Sequence, residues 1–420
     1  MFNREDRPAA DHTALLLRLS AMFNSSLDLE EVLNTVMDEV IVPLRAERGF
    51  IMLRDKEGEF QFKAARGIHQ ASVQDPRAEL SLGVAHQVAS SGVPVITSNA
   101  LGDDRFSEHE SIIYLKIRSI LCVPLTIKTQ VIGVVYLDNR LTKGVFTQSD
   151  LELLTAIAAS AAIAIENARL YQVAIDKGRL ESELQIARQV QTSLLPETIP
   201  TFAGWDFSAL WKPARQVAGD FYDFIWLGPD QLGLIIADVT DKGVPAALFM
   251  ALTHAILRAS LHSPASAAAD LQRANRLICD ESTSGYFVTI FYAGLDLKTG
   301  QMTYVNAGHP PPLWRRAAGQ AITPLAHTGM ALGVDPDVRY TQQTIQLEPG
   351  DYLLAYTDGI TEAFNARQEA YGENTLRSEL ARSAALDPSG ILDAVYRSVT
   401  GWSSNPDYVD DITLLIASRQ

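Results

Sequence analysis

A chain of 420 residues, 47% hydrophobic and 20% charged, has core enough for two or three folded domains. Its formal net charge of −15 argues against a general nucleic-acid binder and against attachment to an anionic membrane surface. The two cysteines, Cys122 and Cys279, lie far apart in apolar surroundings and offer neither a disulfide framework nor zinc-ligand spacing, which suits a reducing, cytoplasmic setting.

The first dozen residues are polar and hold no apolar stretch of the kind a signal peptide needs. Leu15, Leu16, Leu19, Met22 and Phe23 then recur at helical spacing, and a second helical run covers 29–42. GFIMLRD and EFQFKAARGI read as strands parted by turn residues 56–58; SILCVPLTIK and QVIGVVYLDN read as a hairpin turning at 128–130. Strands flanked by helices in this order predict one covered sheet, an α+β sensor-like module over 11–170.

From about 147 to 195 the pattern is helical throughout. Its most apolar run, 151–165, is alanine-rich and too short to span a bilayer, so no membrane insertion is expected. Leu180, Leu184, Ala187, Gln191 and Leu194 follow a 4-3-4-3 spacing, the seam of a short coiled coil. The segment 171–199 is therefore expected to link two domains and to pair with its twin in a homodimer. Gly178 places a joint in that helix, at about 1 kcal/mol relative to alanine, and Pro196 and Pro200 end it.

The remainder, 200–420, has apolar strands that stop at punctuated turns, with helices between them, notably over 245–260. Asp220 follows glycine in VAGDFYDF, Asp238 closes LGLIIAD, Asp358 closes DYLLAYTDG, and Asp410 opens DDITLLIAS. A lone aspartate beside glycine is an ordinary turn former or helix cap. Four that all stand where an apolar strand meets a turn can converge on one rim. An all-oxygen cluster of that kind suits Mg²⁺ or Mn²⁺ rather than zinc. Two such ions about 4 Å apart hold a water between them, lower its pKa and clamp a phosphoryl oxygen for in-line attack.

The ordered stretches VAGDFYDF, LGLIIADVTDKGVPAALFMA, FVTIFYAGLD, YVNAGHPPPL, LEPGDYLLAYTDGITEAFN, AYGENTL and DYVDDITLLIA resemble the SpoIIE-like branch of the PPM-type phosphatases (the protein phosphatase 2C superfamily). The resemblance covers nearly all of 185–420 and begins at ELQIARQVQTSLLP, similar to the helix that leads into the domain in that family. It implies an αββα sandwich with two divalent cations at one edge. Asp220 and Asp238 are implied as catalytic ligands acting through metal-bound water, with Asp238 bridging both ions. The Val239 carbonyl, Asp358 and Asp410 are implied to complete the metal set, with Asp411 able to substitute or to orient water. The implied reaction is direct attack on phosphoserine or phosphothreonine, without a phosphoenzyme. The implied substrate is a phosphorylated regulator of the anti-anti-sigma (STAS) type.

Two departures stand out. The family's DVSGKG reads DVTDKG, so Asp241 adds a carboxylate that either tunes the metal or is merely solvated; the doublet before Asp220 is Ala218–Gly219 rather than Gly–Gly. His309, in AGHPPPL, is a candidate contact to phosphate or a general acid, against the plainer reading of a loop histidine capping a turn. Asn275 and Thr289 match family positions, and buried hydrogen bonding explains them as well. The branch lacks the phosphate-binding arginine of its eukaryotic relatives, and none is assigned here.

Residues 15–170 resemble a GAF domain, through GVAHQVASSGVPVITSNA, IRSILCVPLTIKTQVIGVVYLDN and FTQSDLELLTAIAASAAIAIENARLY. Asn139, Arg140, Phe146 and Asp150 match the cyclic-nucleotide signature only in part, since its final Glu is Leu151. Phe146 and Asp150 describe a hydrophobic anchor and a helix cap equally well, so a small-molecule ligand, a partner protein and no ligand all stay open. A sensor histidine kinase is excluded, because no histidine lies between His109 and His254 to accept a phosphoryl group on the linking helix. The rival of another class is a non-catalytic GAF dimer that scaffolds a partner. The expected architecture is thus an α+β chain: a GAF sensor over 11–170, a helical linker over 171–199 and an αββα phosphatase domain over 200–420.

Overall fold

The computed structural model describes residues 18–19, 22, 27–55, 57–67, 80–103, 110–282, 285–318, 321–403 and 410–420. It divides into two compact units, Met1–Arg179 and Leu180–Gln420. Of the first predicted helix, Leu15, Leu16 and Phe23 lie outside the described residues, Leu19 is buried and Met22 is exposed.

The first unit is built on β1 (Arg48–Arg54), β2 (Phe60–Arg66), β3 (Val95–Thr97), β4 (Ser119–Ile127) and β5 (Gln130–Asn139), paired antiparallel in the order β2-β1-β5-β4-β3. Helix α1 (Leu29–Ile41) starts on Asp28, whose carboxylate accepts from the backbone N–H groups of Glu30 and Glu31. Helices α2 (Leu82–Ser91) and α3 (Glu110–Tyr114) follow in the chain. The sheet is buried on both faces, as the near-continuous apolar runs of β1 and β5 require. Ile51, Leu53, Val135 and Leu137 pack on one side with α1; Phe50, Met52, Val134 and Tyr136 pack on the other with α2.

Helix α4 (Gln148–Leu194) runs unbroken for 47 residues, Gly178 included. It opens with a reciprocal cap. Asp150 accepts from the backbone N–H and hydroxyl of Thr147, and the Thr147 hydroxyl accepts from the Asp150 N–H. By length and composition this helix can span a membrane, but half of its most apolar stretch is buried within the protein, as in a soluble core helix. Leu154, Ile157, Ala158, Ala161 and Ile165 join the core under β1 and β5.

The second unit holds two antiparallel sheets. One contains β7 (Phe221–Gly228), β8 (Gln231–Val239), β9 (Val288–Asp296), β10 (Gln301–Ala307) and β13 (Gln343–Gln346), in the order β13-β10-β9-β8-β7. The other contains β6 (Trp205–Lys212), β11 (Leu313–Arg315), β12 (Ile322–Pro324), β14 (Tyr352–Tyr356) and β15 (Ile412–Arg419), in the order β12-β11-β14-β15-β6. Helices α5 (Val244–Ser260) and α6 (Ala267–Glu281) pack with the first sheet; α8 (Gly372–Arg382) and α9 (Pro388–Trp402), which follow the one-turn α7 (Asp358–Thr361), pack with the second.

The two-residue side-chain period explains the layering. Along β14, Leu353 and Ala355 point into the core shared with the first sheet, while Tyr352, Leu354 and Tyr356 meet α8 and α9. Along β15, Leu415 and Ala417 point inward and Leu414 and Ile416 outward. Truncating one such buried leucine to alanine costs about 2–5 kcal/mol. The result is helix, sheet, sheet, helix, an αββα sandwich.

Candidate active site

Each aspartate singled out in the sequence stands where a strand of the sandwich ends or begins. Asp220 precedes β7, Asp238 is the penultimate residue of β8, Asp358 opens α7 two residues after β14, and Asp410 with Asp411 lead into β15. Because β7 and β8 are neighbours, as are β14 and β15, two aspartate pairs arise by strand pairing alone. Between the sheets, the Thr413 hydroxyl donates to an Asp220 carboxylate oxygen at 2.8 Å.

The approach is close because glycine permits it. A Cβ on Gly359 would meet the Asp411 carbonyl at 2.1 Å, and one on Gly219 would sit 3.0 Å from the Val239 carbonyl. Val239, whose carbonyl is the implied backbone ligand, therefore faces the segment that carries Asp220. Asp411 braces the same segment, accepting from the N–H of Ala214 at 2.7 Å and of Gly219 at 2.9 Å. Its two oxygens are engaged with backbone.

The electrostatics follow from burial and crowding. Asp220, 2% exposed, has its carboxyl pushed well up, first by burial and then by the charges of Asp238 and Asp411. Asp238 is pushed to about 7, again by burial first and then by Asp358. Asp358 reaches about 6 through burial and Asp410. Asp411 is raised by burial, against the pull of the N–H groups of Ala214 and Gly219. Lys242 brings a positive charge, its ammonium pairing with Asp410 at 2.7 Å and drawing Asp358 down. Among the described residues, no three His, Cys, Asp or Glu side chains converge on one point as a formed metal site. The donor set nonetheless fits a hard divalent cation: all-oxygen, anionic, and mutually repelling in a way that positive charge relieves.

The other candidates separate clearly. Asp241 is exposed and in the left-handed region at φ 74, and its carboxylate accepts from the Lys242 N–H at 2.8 Å. It is a loop former, and the position it fills is one that glycine occupies without strain. His309 is fully buried. Its Nδ1 lies 2.9 Å from the hydroxyl of Thr289, which stands opposite Asp238 across β8 and β9. Burial holds its imidazole down at about 3, so it is neutral and enclosed. Of the two readings open for His309, the structure places a buried ring against Thr289, beneath the end of β8. Asn275 bridges the Asp335 carbonyl and the Gly333 N–H, a structural role.

Sequence reasoning passed over Lys242, Thr357 and Thr413. The Thr357 hydroxyl accepts from the Thr413 N–H at 3.0 Å, fastening β14 to β15 beside the aspartates. A threonine next to each acidic turn was the available signal. It also passed over Asp223, whose buried carboxylate is neutralised separately by Arg258 at 2.6 Å and met by His254 at 3.0 Å.

In the first unit the partial nucleotide signature has structural employment. Asn139 accepts from the Glu47 N–H and donates to the Arg45 carbonyl, Phe146 is buried in the core, and Asp150 caps α4. A cavity of about 270 Å³ lined by Leu29, Leu53, Lys63, Ile165 and Arg169 belongs to this unit and not to the carboxylate cluster.

Residues 228–420 match the family described as Stage II sporulation protein E (SpoIIE), and 26–166 match the GAF domain. Protein IcfG of Synechocystis sp. is 32% identical over 264 residues, 56% of this chain and 41% of IcfG. Phosphoserine phosphatase RsbU of Bacillus subtilis is 32% identical over 246 residues, 57% of this chain and 71% of RsbU. Phosphoserine phosphatase RsbP of the same organism is 27% identical over 184 residues, 43% of this chain and 45% of RsbP. The chain thus spans less than half the length of IcfG and of RsbP. The SiaA-PP2C domain of Pseudomonas aeruginosa superposes with a TM-score of 0.52 at 20% identity, covering 58% of this chain and 98% of that domain, a likeness of fold. The chain belongs to the SpoIIE-type branch of the PPM phosphatases and carries a GAF domain ahead of its phosphatase domain.

Proposed function

We propose that the chain is a metal-dependent protein serine/threonine phosphatase acting on phosphoserine or phosphothreonine of a regulatory protein of the anti-anti-sigma (STAS) type. The observation that carries the reading is the gathering of Asp220, Asp238, Asp358 and Asp410, where burial and like charge raise the first three carboxyls. RsbU and RsbP, both phosphoserine phosphatases, support the reaction; the regulatory substrate is what membership of this branch implies.

In this reading Asp220, Asp238, the Val239 carbonyl, Asp358 and Asp410 would hold two divalent cations, Mn²⁺ or Mg²⁺. When bound, the cations supply an activated water and neutralise the phosphoryl oxygens. The chain's own part is placement. Thr413 orients Asp220, Asp411 fixes the backbone at Ala214 and Gly219, and the Thr289–His309 pair supports the end of β8.

The domains are assigned as GAF sensor 11–170, helical linker 171–199 and phosphatase 200–420, in a cytoplasmic homodimer whose linker helices pair. Of the proposed seam, Leu180 is exposed, Leu184 and Ala187 are half-buried, and Gln191 is enclosed in the phosphatase unit, so pairing rests on the earlier turns. The GAF unit, with or without a small-molecule ligand, regulates activity through that helix. Full-length protein given Mn²⁺ and a phosphoserine peptide or para-nitrophenyl phosphate should release phosphate, and chelation should stop it. No metal-dependent release, with Asp238→Asn indistinguishable from wild type, would leave the scaffold alternative standing. A monomeric variant with undiminished activity would overturn the dimer-dependent regulation.

A further inference from the structure

The stretch 213–220, which ends in Asp220, belongs to no strand or helix and is held by side chains that reach it from elsewhere. Asp411 takes the N–H groups of Ala214 and Gly219, and the Trp211 indole donates to the Asp220 carbonyl. The third holder comes from the last turn of α4. Gln191, 5% exposed, accepts from the Ala218 N–H at 3.1 Å and donates to the Ala218 carbonyl at 2.9 Å. Its amide nitrogen also lies 3.4 Å from the Ala247 carbonyl, in the first turn of α5. That turn follows the loop that leaves Asp238. One amide thus touches the segment that leads into Asp220 and the helix that follows the loop leaving Asp238.

We propose that Gln191 is a positioning residue for the Asp220–Asp238 pair, holding Ala218 as a strand partner would and thereby fixing where Asp220 presents its oxygens to a cation. The proposal rests on reading the cluster as a metal centre. Only glycine separates Ala218 from Asp220, so a shift of the clamped peptide reaches the carboxylate within two residues, about 7 Å of extended chain. The task needs a donor and an acceptor side by side, which among side chains of this length only glutamine offers. Glutamate keeps the acceptor, loses the donor and buries a charge. Asparagine keeps both groups but falls one methylene short.

The test is titration of the metal-depleted full chain with Mn²⁺ by calorimetry, alongside thermal unfolding and phosphate release. Gln191→Leu and Gln191→Asn should each weaken Mn²⁺ binding about tenfold, the scale of losing a group that orients a metal ligand. Phosphate release should need correspondingly more Mn²⁺ and return near the wild-type maximum when Mn²⁺ saturates. Leu194→Ala, at the same helix end and partly packed on the core, is the control for simple loosening. It should lower the melting temperature and leave Mn²⁺ binding unchanged. Wild-type binding matched by both Gln191 variants overturns the proposal, as does equal weakening by Leu194→Ala. If Gln191→Leu does not fold, Gln191→Asn decides alone. If wild type itself binds no Mn²⁺, the metal-centre reading falls first.

Discussion

In the GAF unit the buried Asp138 carboxylate faces the Arg48 guanidinium at 2.5 Å, and Arg140 adds a second positive charge to its surroundings. In the phosphatase unit Asp220, Asp238, Asp358, Asp410 and Asp411 crowd one rim, and Lys242, half-exposed, brings a positive charge to them. Asp138 is raised to about 6 by burial while Arg48 pulls it down. In the cluster, burial and like charge push the same way. A buried charge that brings its own partner is part of the fold. A set that repels itself stores a demand for positive charge from outside, and such perturbed groups gather where function lies.

The comparison can be broken hardest at Asp238. Asp238→Asn should cut phosphate release by at least about 100-fold, the scale of losing one preorganised electrostatic group. Metal-free variant should melt no lower than wild type, since a repelling charge has gone; a large loss of melting temperature would make Asp238 structural instead. The opposite result is expected in the GAF unit. Arg48→Met takes the bonded guanidinium from a buried carboxylate and should cost about 3–5 kcal/mol in chemical denaturation. Adding Asp138→Leu should recover much of it.

A pH series sharpens the contrast. Asp238 and Asp358 are raised to about 7 and about 6, so the folded state keeps protons that the unfolded chain has released. Their stabilisation is full below about pH 4 and is lost as pH rises through about 6 to 7. Asp138 acts in the same direction. Chelated protein should therefore lose melting temperature from pH 5 to pH 8. Saturating Mn²⁺ should remove the part that belongs to the cluster, because cations and protons compete for the same oxygens. Identical slopes with and without Mn²⁺ would detach the cluster from metal. The smallest effect is expected at Asp241→Gly. At φ 74 the substitution should stabilise by about 0.5–1 kcal/mol and leave activity intact, which a paired melt and assay will show.

Much of this was legible because strand ends are legible. Asp220, Asp238, Asp358 and Asp410 each border an apolar run, and the period-2 burial of β14 and β15 follows from their continuous hydrophobicity. What sequence left open was direction. AGHPPPL marks a turn, but nothing in it says that the His309 ring points inward to Thr289. Gln191 fits the heptad seam as well as any polar residue, and only the fold turns its amide toward Ala218. The partial nucleotide signature stayed open for a related reason: Asn139 and Asp150 bridge and cap backbone, work that leaves no mark in sequence distinct from ligand binding.

Gly359 turns the sandwich into a gauge. With 2.1 Å from its would-be Cβ to the Asp411 carbonyl, the chain leaving β14 and the chain entering β15 rest against each other without a spacer. The backbones that carry Asp358 and Asp410 are thus held at contact distance, a spacing that any side chain at 359 would force open. Calibration of the site is carried by an atom that is missing, and the shortest residue in the chain is where its tolerance is kept.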